Sequence, residues 1–189
     1  MKKFELTSET KINIFGKKLF RIKALISFGN VEAGETGGWV EKEENVNQSG
    51  DAWVFGNAEV SGNARVSGNA EVSGNAIVSG NAEVSGNAIV SGNAEVSGNA
   101  RVSGNAEVSG NARVSGNADY TTIRGFGTQF RTTTFFRCKD KQVKVSCGYF
   151  YGTIPEFREQ VKNTRKGKIA EEYLMIADLM EKHFAEEAK

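Results

Sequence analysis

From Ala52 to Val114 the apolar positions repeat without a break. Val recurs every sixth residue from Val54 to Val114, and an Ala stands two places before each Val. The residue between them, here X, is charged in most units. Side chains alternate faces along a strand, so each Ala-X-Val turns Ala and Val to one side and X to the other. The other three residues, Ser-Gly-Asn in nearly every unit, make the corner, where Gly and Asn tolerate positive φ at low cost. Gly-Asn-Ala recurs eleven times, from Gly56 to Gly116, after a degenerate copy at Gly50-Asp51-Ala52. A short strand and a sharp corner, repeated at a fixed period, predict a β-solenoid.

The X residues choose between two ways of coiling. Twelve residues per coil would stack Glu59, Glu71, Glu83, Glu95, Glu107 and Asp119 in one column, about 4.8 Å apart, and like charges directly opposite each other are destabilising. Eighteen residues per coil sort the same side chains into three columns. One reads Arg65, Glu83, Arg101, Asp119; the second Glu59, Ile77, Glu95, Arg113; the third Trp53, Glu71, Ile89, Glu107. No vertical neighbours then carry like charge, and each opposite-charge pair contributes roughly 0.2–1 kcal/mol. The three-sided coil is favoured, although a twelve-residue pattern is also what gene duplication would leave. Four such coils over residues 50–121 stand about 19 Å tall. Asn57, Asn75, Asn93 and Asn111 would stack along one edge and bond coil to coil.

The unit Val-Ser-Gly-Asn-Ala-X resembles the hexapeptide-repeat pattern, with an aliphatic residue first and a small residue fifth. That resemblance, over Gly50 to Asp119, implies a left-handed parallel β-helix with three hexads per coil. The expected fold is therefore mainly β: a helix of coils at 50–121, an N-terminal β cap at 1–49 and a C-terminal ββαα cap at 122–189. In the first cap, residues 11–15 and 18–22 read as a hairpin around Gly16-Lys17, and Gly34 to Gly38 reads as a loop. Val40 and Val46 keep the six-residue spacing that leads to Ala52, which places Lys42 and Gln48 where the repeats have Val. In the second cap, residues 132–138 and 143–147 read as a hairpin turning at Asp140-Lys141, with Cys138 opposite Val143 and Cys147 opposite Thr134. Phe136, Cys138, Val143 and Val145 then share one face, and Arg137 and Lys144 the other. Thr153 caps a helix with Pro155 in its first turn. A last helix runs from about Ile169 to Ala188, with an apolar stripe of Tyr173, Ile176, Ala177, Met180 and Phe184.

Composition narrows the function. The 189 residues hold 22 Gly, one His and two Cys, with a net charge of +1. No apolar run approaches a membrane span, and the start of the chain has no apolar stretch of the signal-peptide kind. Two Cys, too far apart in the expected hairpin to bridge, suit free thiols in a reducing bacterial cytoplasm. Charge is uneven: residues 1–31 carry seven basic and two acidic side chains, and residues 121–168 carry eleven and three.

The order of the whole chain also resembles uncharacterised proteins of phages, prophages and gut bacteria. The similarity lies in Phe20 to Leu25, Gly38 to Asn45, and Thr132 to Cys147 with Gly148 and Gly152-Thr153. It implies an accessory protein acting on a host component. Hexapeptide-repeat proteins are mostly acyltransferases that use a His as general base. Here the one His, His183, lies in the last helix on a polar side, and no loop interrupts the hexads to wall a pocket. A zinc site lacks ligands, calcium is disfavoured by the pairing of the carboxylates, and Gly125-Phe126-Gly127 reads as a turn rather than a phosphate loop.

The expected function is thus non-catalytic, without metal or cofactor: a rigid scaffold that binds a macromolecule through its faces or caps. Trp53, Ile77 and Ile89 are the apolar X residues, and Ile77 and Ile89 would lie on adjacent faces where a second subunit of a dimer or trimer could sit. Arg124, Arg131, Arg137 and Lys144 lead a basic set that also holds Lys139, Lys141 and Arg165, interleaved with Phe126, Phe130 and Phe135. That mixture suits a protein partner, or a nucleic acid or nucleotide.

Overall fold

Each hexad yields one two-residue strand, X-Val, and one corner. In the computed structural model, which describes residues 2–185, these strands run from β4 (Trp53–Val54) to β14 (Arg113–Val114). They follow β1 (Phe4–Ile12), β2 (Lys18–Ala24) and β3 (Thr36–Val40). Pairing is parallel and steps eighteen residues: Glu59 lies against Ile77, Ile77 against Glu95, and Glu95 against Arg113. Trp53, Glu71, Ile89 and Glu107 form the second column, and Arg65, Glu83 and Arg101 the third. The result is a three-sided parallel β-solenoid of about four turns. Every Ala and Val from Ala52 to Val114 that points inward is fully buried.

The corners show why Gly and Asn alternate there. Gly62 has φ +68°, and the Ala64 N–H donates to Ser61 O at 3.3 Å to close the turn. Asn does not take positive φ; its work lies between coils. The Asn63 amide donates to Asn81 Oδ1 at 3.1 Å and Asn81 to Asn99 at 3.0 Å, with parallel ladders through Asn69–Asn87–Asn105 and Asn75–Asn93. Such stacked amides bond each coil to the next along the exposed edges. Glycine is required for a second reason. A Cβ on Gly86 would lie 2.9 Å from the backbone N of Gly104 in the next coil.

At the N-terminal end the first coil is two residues longer than the rest. Val40 pairs with Val60 and Val46 bridges Val66, whereas Val54 pairs with Val72. Val40 and Val46 therefore occupy Val sites, not the Ala sites that their spacing to Ala52 suggests, and the extra residues sit in the corner before Ala52. Gly37 and Gly38 lie within β3 instead of a loop. A Cβ on Gly38 would come within 2.5 Å of Val54 Cγ1, and one on Gly37 within 2.6 Å of Trp53 Cζ2. Here glycine marks close approach rather than a turn. The hairpin is longer than expected, since β1 begins at Phe4, and its turn is held by Asn13 Oδ1, which accepts from the N–H groups of Phe15 and Lys17. β2 adds antiparallel to β3, so the hairpin extends one wall of the prism.

Side-chain donors finish this end. Asn45 Nδ2 donates to Gly62 O and Ala64 O at 3.2 and 2.8 Å. Lys3 Nζ, 2% exposed as a residue, donates to Gly50 O and Ala52 O at 3.1 and 2.8 Å and lies over the Phe28 ring. Burial lowers the Lys3 pKa to about 8, against an opposing pull from Asp51.

Acceptors finish the other end. Asn117 Oδ1 accepts from the Arg101 N–H at 2.9 Å, and Thr134 Oγ1 from the Glu107 N–H at 3.0 Å. Residues Asn117–Asp119 form a 3-10 turn, so Ala118 is exposed and Asp119 leaves its expected column. Asp119 caps that turn through Ser115 and Gly116 and faces Arg137 at 3.7 Å.

The C-terminal cap is a four-stranded antiparallel sheet followed by two helices, two strands more than the sequence signals. β15 (Tyr120–Phe126), β16 (Arg131–Arg137), β17 (Val143–Cys147) and β18 (Phe150–Thr153) pair in chain order. Arg137 faces Val143 and Thr134 faces Ser146. The register thus differs by one residue from a turn centred on Asp140-Lys141, because Cys138 also enters the turn, with Lys141 at φ +65°. A one-residue slip exchanges the faces. Phe136 and Cys138 join the core of the solenoid, while Phe135 and Val145 join a second core with the helices. The expected shared face of Phe136, Cys138, Val143 and Val145 is therefore split. The sheet is buried on both sides, which is why Phe135-Phe136 is continuous rather than alternating.

α1 (Ile154–Thr164) starts at a capping box: Thr153 Oγ1 accepts from the Glu156 N–H, and Glu156 Oε2 accepts from the Thr153 N–H at 2.7 Å. α2 (Gly167–Phe184) buries Tyr173, Ile176, Ala177, Met180 and Phe184 as its stripe predicts, and begins two residues earlier than expected. Ala188, the expected end of this helix, lies outside the described residues.

Two stability measurements test these assignments. Gly86→Ala should lose roughly 1–3 kcal/mol from the left-handed backbone alone, and more from the clash with Gly104. Gly104→Ala has nothing within 4 Å of its added Cβ, so urea denaturation should rank it as the milder of the two. The second measurement concerns Lys3, whose pKa is lower folded (about 8) than in its ordinary state (10.5). Between those values the unfolded chain binds more protons, so this group's contribution is fully present above pH 10.5 and is lost as pH falls through 8. Against Lys3→Met, the relative stability of the unsubstituted protein should rise from pH 8 to pH 10.5; a flat difference would remove Lys3 from its place as a buried cap.

Candidate functional site

The apolar X residues separate once placed in the fold. Trp53 is 0% exposed, packed edge-on against Phe4 at 5.8 Å and Phe28 at 5.4 Å. It belongs to the core under the N-terminal cap and offers no contact surface, a correction to its reading as an outward X residue. The cap folds over the first member of that column, a long-range event that the hexad cannot signal. Ile77 and Ile89 do face outward, on different walls. Ile77 stands between Glu59 and Glu95, and Ile89, 36% exposed, between Glu71 and Glu107. Each is thus an isolated apolar step in a charged column.

The basic candidates also divide. Arg137 is committed to structure. Its Nη2 donates to Phe184 O at 2.9 Å, its guanidinium lies over the Phe184 ring, and Asp119 sits beside it. It ties the end of α2 to the sheet and is not free for a partner. Lys139 pairs with Glu95 at 2.8 Å. Lys144 is partly buried opposite Phe136, on the solenoid side of the sheet. Phe126 and Phe135 pack into the cap's core.

Arg124 and Arg131 are brought together. They line a cleft of about 300 Å³ with Phe130, Thr132, Asn105 and Glu107. Phe130 is 66% exposed and holds φ +48°, an unusual conformation for an aromatic residue. Gly125, at φ +95°, sits where the β15–β16 register shifts, which lets the tip of this hairpin turn outward. Neither arginine has a carboxylate partner among the described residues, whereas Arg101, Arg113, Arg137 and Arg158 each have one.

Arg131 also lines a second cleft, of about 210 Å³, between the sheet and α1. Tyr149, Cys147, Arg165 and Tyr173 converge there above Phe150 and Phe157. Tyr149 is fully exposed and lies under the Arg131 guanidinium at 5.8 Å. Burial raises the Tyr173 pKa, and its hydroxyl donates to Phe126 O at 3.2 Å. Cys147 accepts from the Thr133 hydroxyl at 3.1 Å and is free, as is the buried Cys138, whose thiol burial pushes up to about 11. Tyr149 escaped the sequence reading because residues 148–153 carry no strand signal long enough to place it. Gly148 before it, at φ +61°, is the one trace of the β17–β18 turn. His183 is exposed and packs edge-on against Phe184, ring centres 4.9 Å apart.

The family model of the YdcK β-solenoid repeat matches residues 94–110, about one coil of this prism. No curated protein matches the chain. The coil pairing and this match together define a β-solenoid repeat protein, a scaffold class whose contact surfaces are set by its faces and caps. No described helix is long and apolar enough to cross a membrane.

Because Trp53 belongs to the core, Trp53→Ala should behave as a large-to-small core substitution. The expected loss is roughly 3–5 kcal/mol, read by chemical denaturation. Unchanged stability would return Trp53 to the surface.

Proposed function

We propose that this protein is a non-catalytic β-solenoid scaffold that presents its C-terminal cap to a macromolecular partner, most plainly a protein. The observation that carries this reading is the outer cleft, where Arg124, Arg131 and the exposed, left-handed Phe130 stand at the end of a rigid prism without carboxylate partners among the described residues. Arginine and aromatic side chains dominate the energetics of protein interfaces, and strained residues tend to be kept where they serve a contact. Glu107 in the same cleft makes the surface mixed in sign, which suits a protein better than a polyanion. Ile77 and Ile89 are the weaker self-association surface, since a subunit seated on either must also cover the carboxylates above and below it.

The resemblance to phage and prophage proteins supports placing the partner in the cytoplasm of a bacterial host, with the scaffold as an accessory that engages a host component, such as part of a defence system. Binding to a nucleic acid or nucleotide is the second reading, favoured by the free arginines beside aromatic rings. Acyl transfer is the least supported, because His183 stands on α2 and not among the coils.

Affinity capture from host lysate tests the proposal. A co-purifying protein should be retained by the unsubstituted chain and lost, by tenfold or more, with Arg124→Glu and Phe130→Ala, while Ile89→Glu keeps it. Oligonucleotide binding that weakens steeply with salt and fails in Arg124→Glu would instead establish the second reading.

A further inference from the structure

We propose that the inner cleft of the C-terminal cap is a binding site for a small phosphate monoester carrying a planar ring, such as a mononucleotide. This goes beyond the partner-binding reading: Arg131 lines both clefts, but Arg165 and Tyr149 belong to this one and Arg124 and Phe130 to the outer one.

Three features converge. The first is charge. Arg131, from the start of β16, and Arg165, the residue that ends α1, both line the cleft, and neither has a carboxylate partner among the described residues. Among the described residues no acidic side chain lines it. Two guanidiniums lining one small cavity favour an anion there, and the planar fork of arginine matches phosphate oxygens in two-point contacts.

The second feature is the polar lining. Gln160 and Thr164 lie one turn apart on α1 and line the cavity with Tyr173. The Thr164 and Tyr173 hydroxyls already donate to Gln160 O at 2.7 Å and Phe126 O at 3.2 Å, so the Gln160 side-chain amide is the donor left for a ligand among these three. Convergent polar groups over an apolar floor, here Phe150 and Phe157, are the usual make-up of a small-ligand site.

The third is the ring at the mouth. Tyr149 is fully exposed, with the Arg131 guanidinium 5.8 Å from its ring centre, so its aromatic surface stands at the mouth of the cleft. A cavity of about 210 Å³ is smaller than the usual pocket for a whole drug-sized ligand. It suits the phosphate end of the ligand, with the planar ring left to stack on Tyr149 outside.

Calorimetric titration with AMP, adenosine and inorganic phosphate tests the site. AMP should bind with a Kd of about 1 mM or tighter, more tightly than inorganic phosphate, and adenosine should bind at least tenfold more weakly. Arg165→Gln should weaken AMP at least tenfold with the circular dichroism spectrum unchanged. Tyr149→Ala should weaken AMP and leave inorganic phosphate as it was. Arg124→Gln should leave all three titrations unchanged, which separates this site from the outer cleft. Absence of AMP binding, AMP bound no more tightly than phosphate, or AMP binding untouched by Arg165→Gln would overturn the proposal.

Discussion

Coil stacks on coil because each corner is a bare backbone. The corner glycines stand in columns so close that a Cβ on most of them would meet the next coil's peptide at about 3 Å. Only at this distance do the Asn N–H groups reach the Gly carbonyls below, as Asn69 does at 2.7 Å from Gly86 O. The Asn side chains stack at the same spacing and form amide ladders. Backbone contact, hydrogen-bond register and side-chain ladder are thus one constraint. It holds every Val above the next Val and every X above the next X, and it leaves a core of Val and Ala that is narrow but filled.

A stack of this kind has two open ends, and the chain treats them oppositely. At the first, the carbonyls of Ala52 and Ala64 need donors, and Lys3 and Asn45 supply them from side chains. At the last, the N–H groups of Arg101 and Glu107 need acceptors, and Asn117 and Thr134 supply those. Unsatisfied buried backbone groups are costly, so these four side chains do what a further coil would do. The C-terminal sheet then lies between two cores, with Phe136 in one and Phe135 in the other.

The arrangement also sets which charges are paired and which are not. Along the faces, several charges are answered by neighbours: Arg101 by Glu83, Arg113 by Glu95, and Glu59 by Lys11 of the hairpin. Arg137 is answered by Asp119 and by the end of α2. At the far end of the cap, Arg124, Arg131 and Arg165 have no carboxylate partner among the described residues and lie beside Phe130 and Tyr149. Positive charge and aromatic surface without a local partner are the features that a partner or ligand would recognise.

The solenoid was legible in the sequence because its physics is local and repeated. Alternation across Ala-X-Val sets the inside and outside of each wall, and the signs of the X residues select eighteen residues per coil over twelve. The stripe of α2 and the Thr153 cap of α1 were legible for the same reason, since both rest on residues three or four apart. The caps were not, because their contacts join residues that no short-range pattern relates. Trp53 has the sequence position of an outward residue, and only the arrival of Phe4 and Phe28 makes it core. Val40 and Val46 have the phase of Ala, and only pairing with Val60 and Val66 reveals the two extra residues in the corner. One residue of turn at Cys138 decides which side of a strand faces the prism. The sequence alone therefore determined the repeating wall, where each residue's environment is its own neighbourhood. The tertiary structure alone decided the ends and the free arginines, where the environment comes from chain tens of residues away.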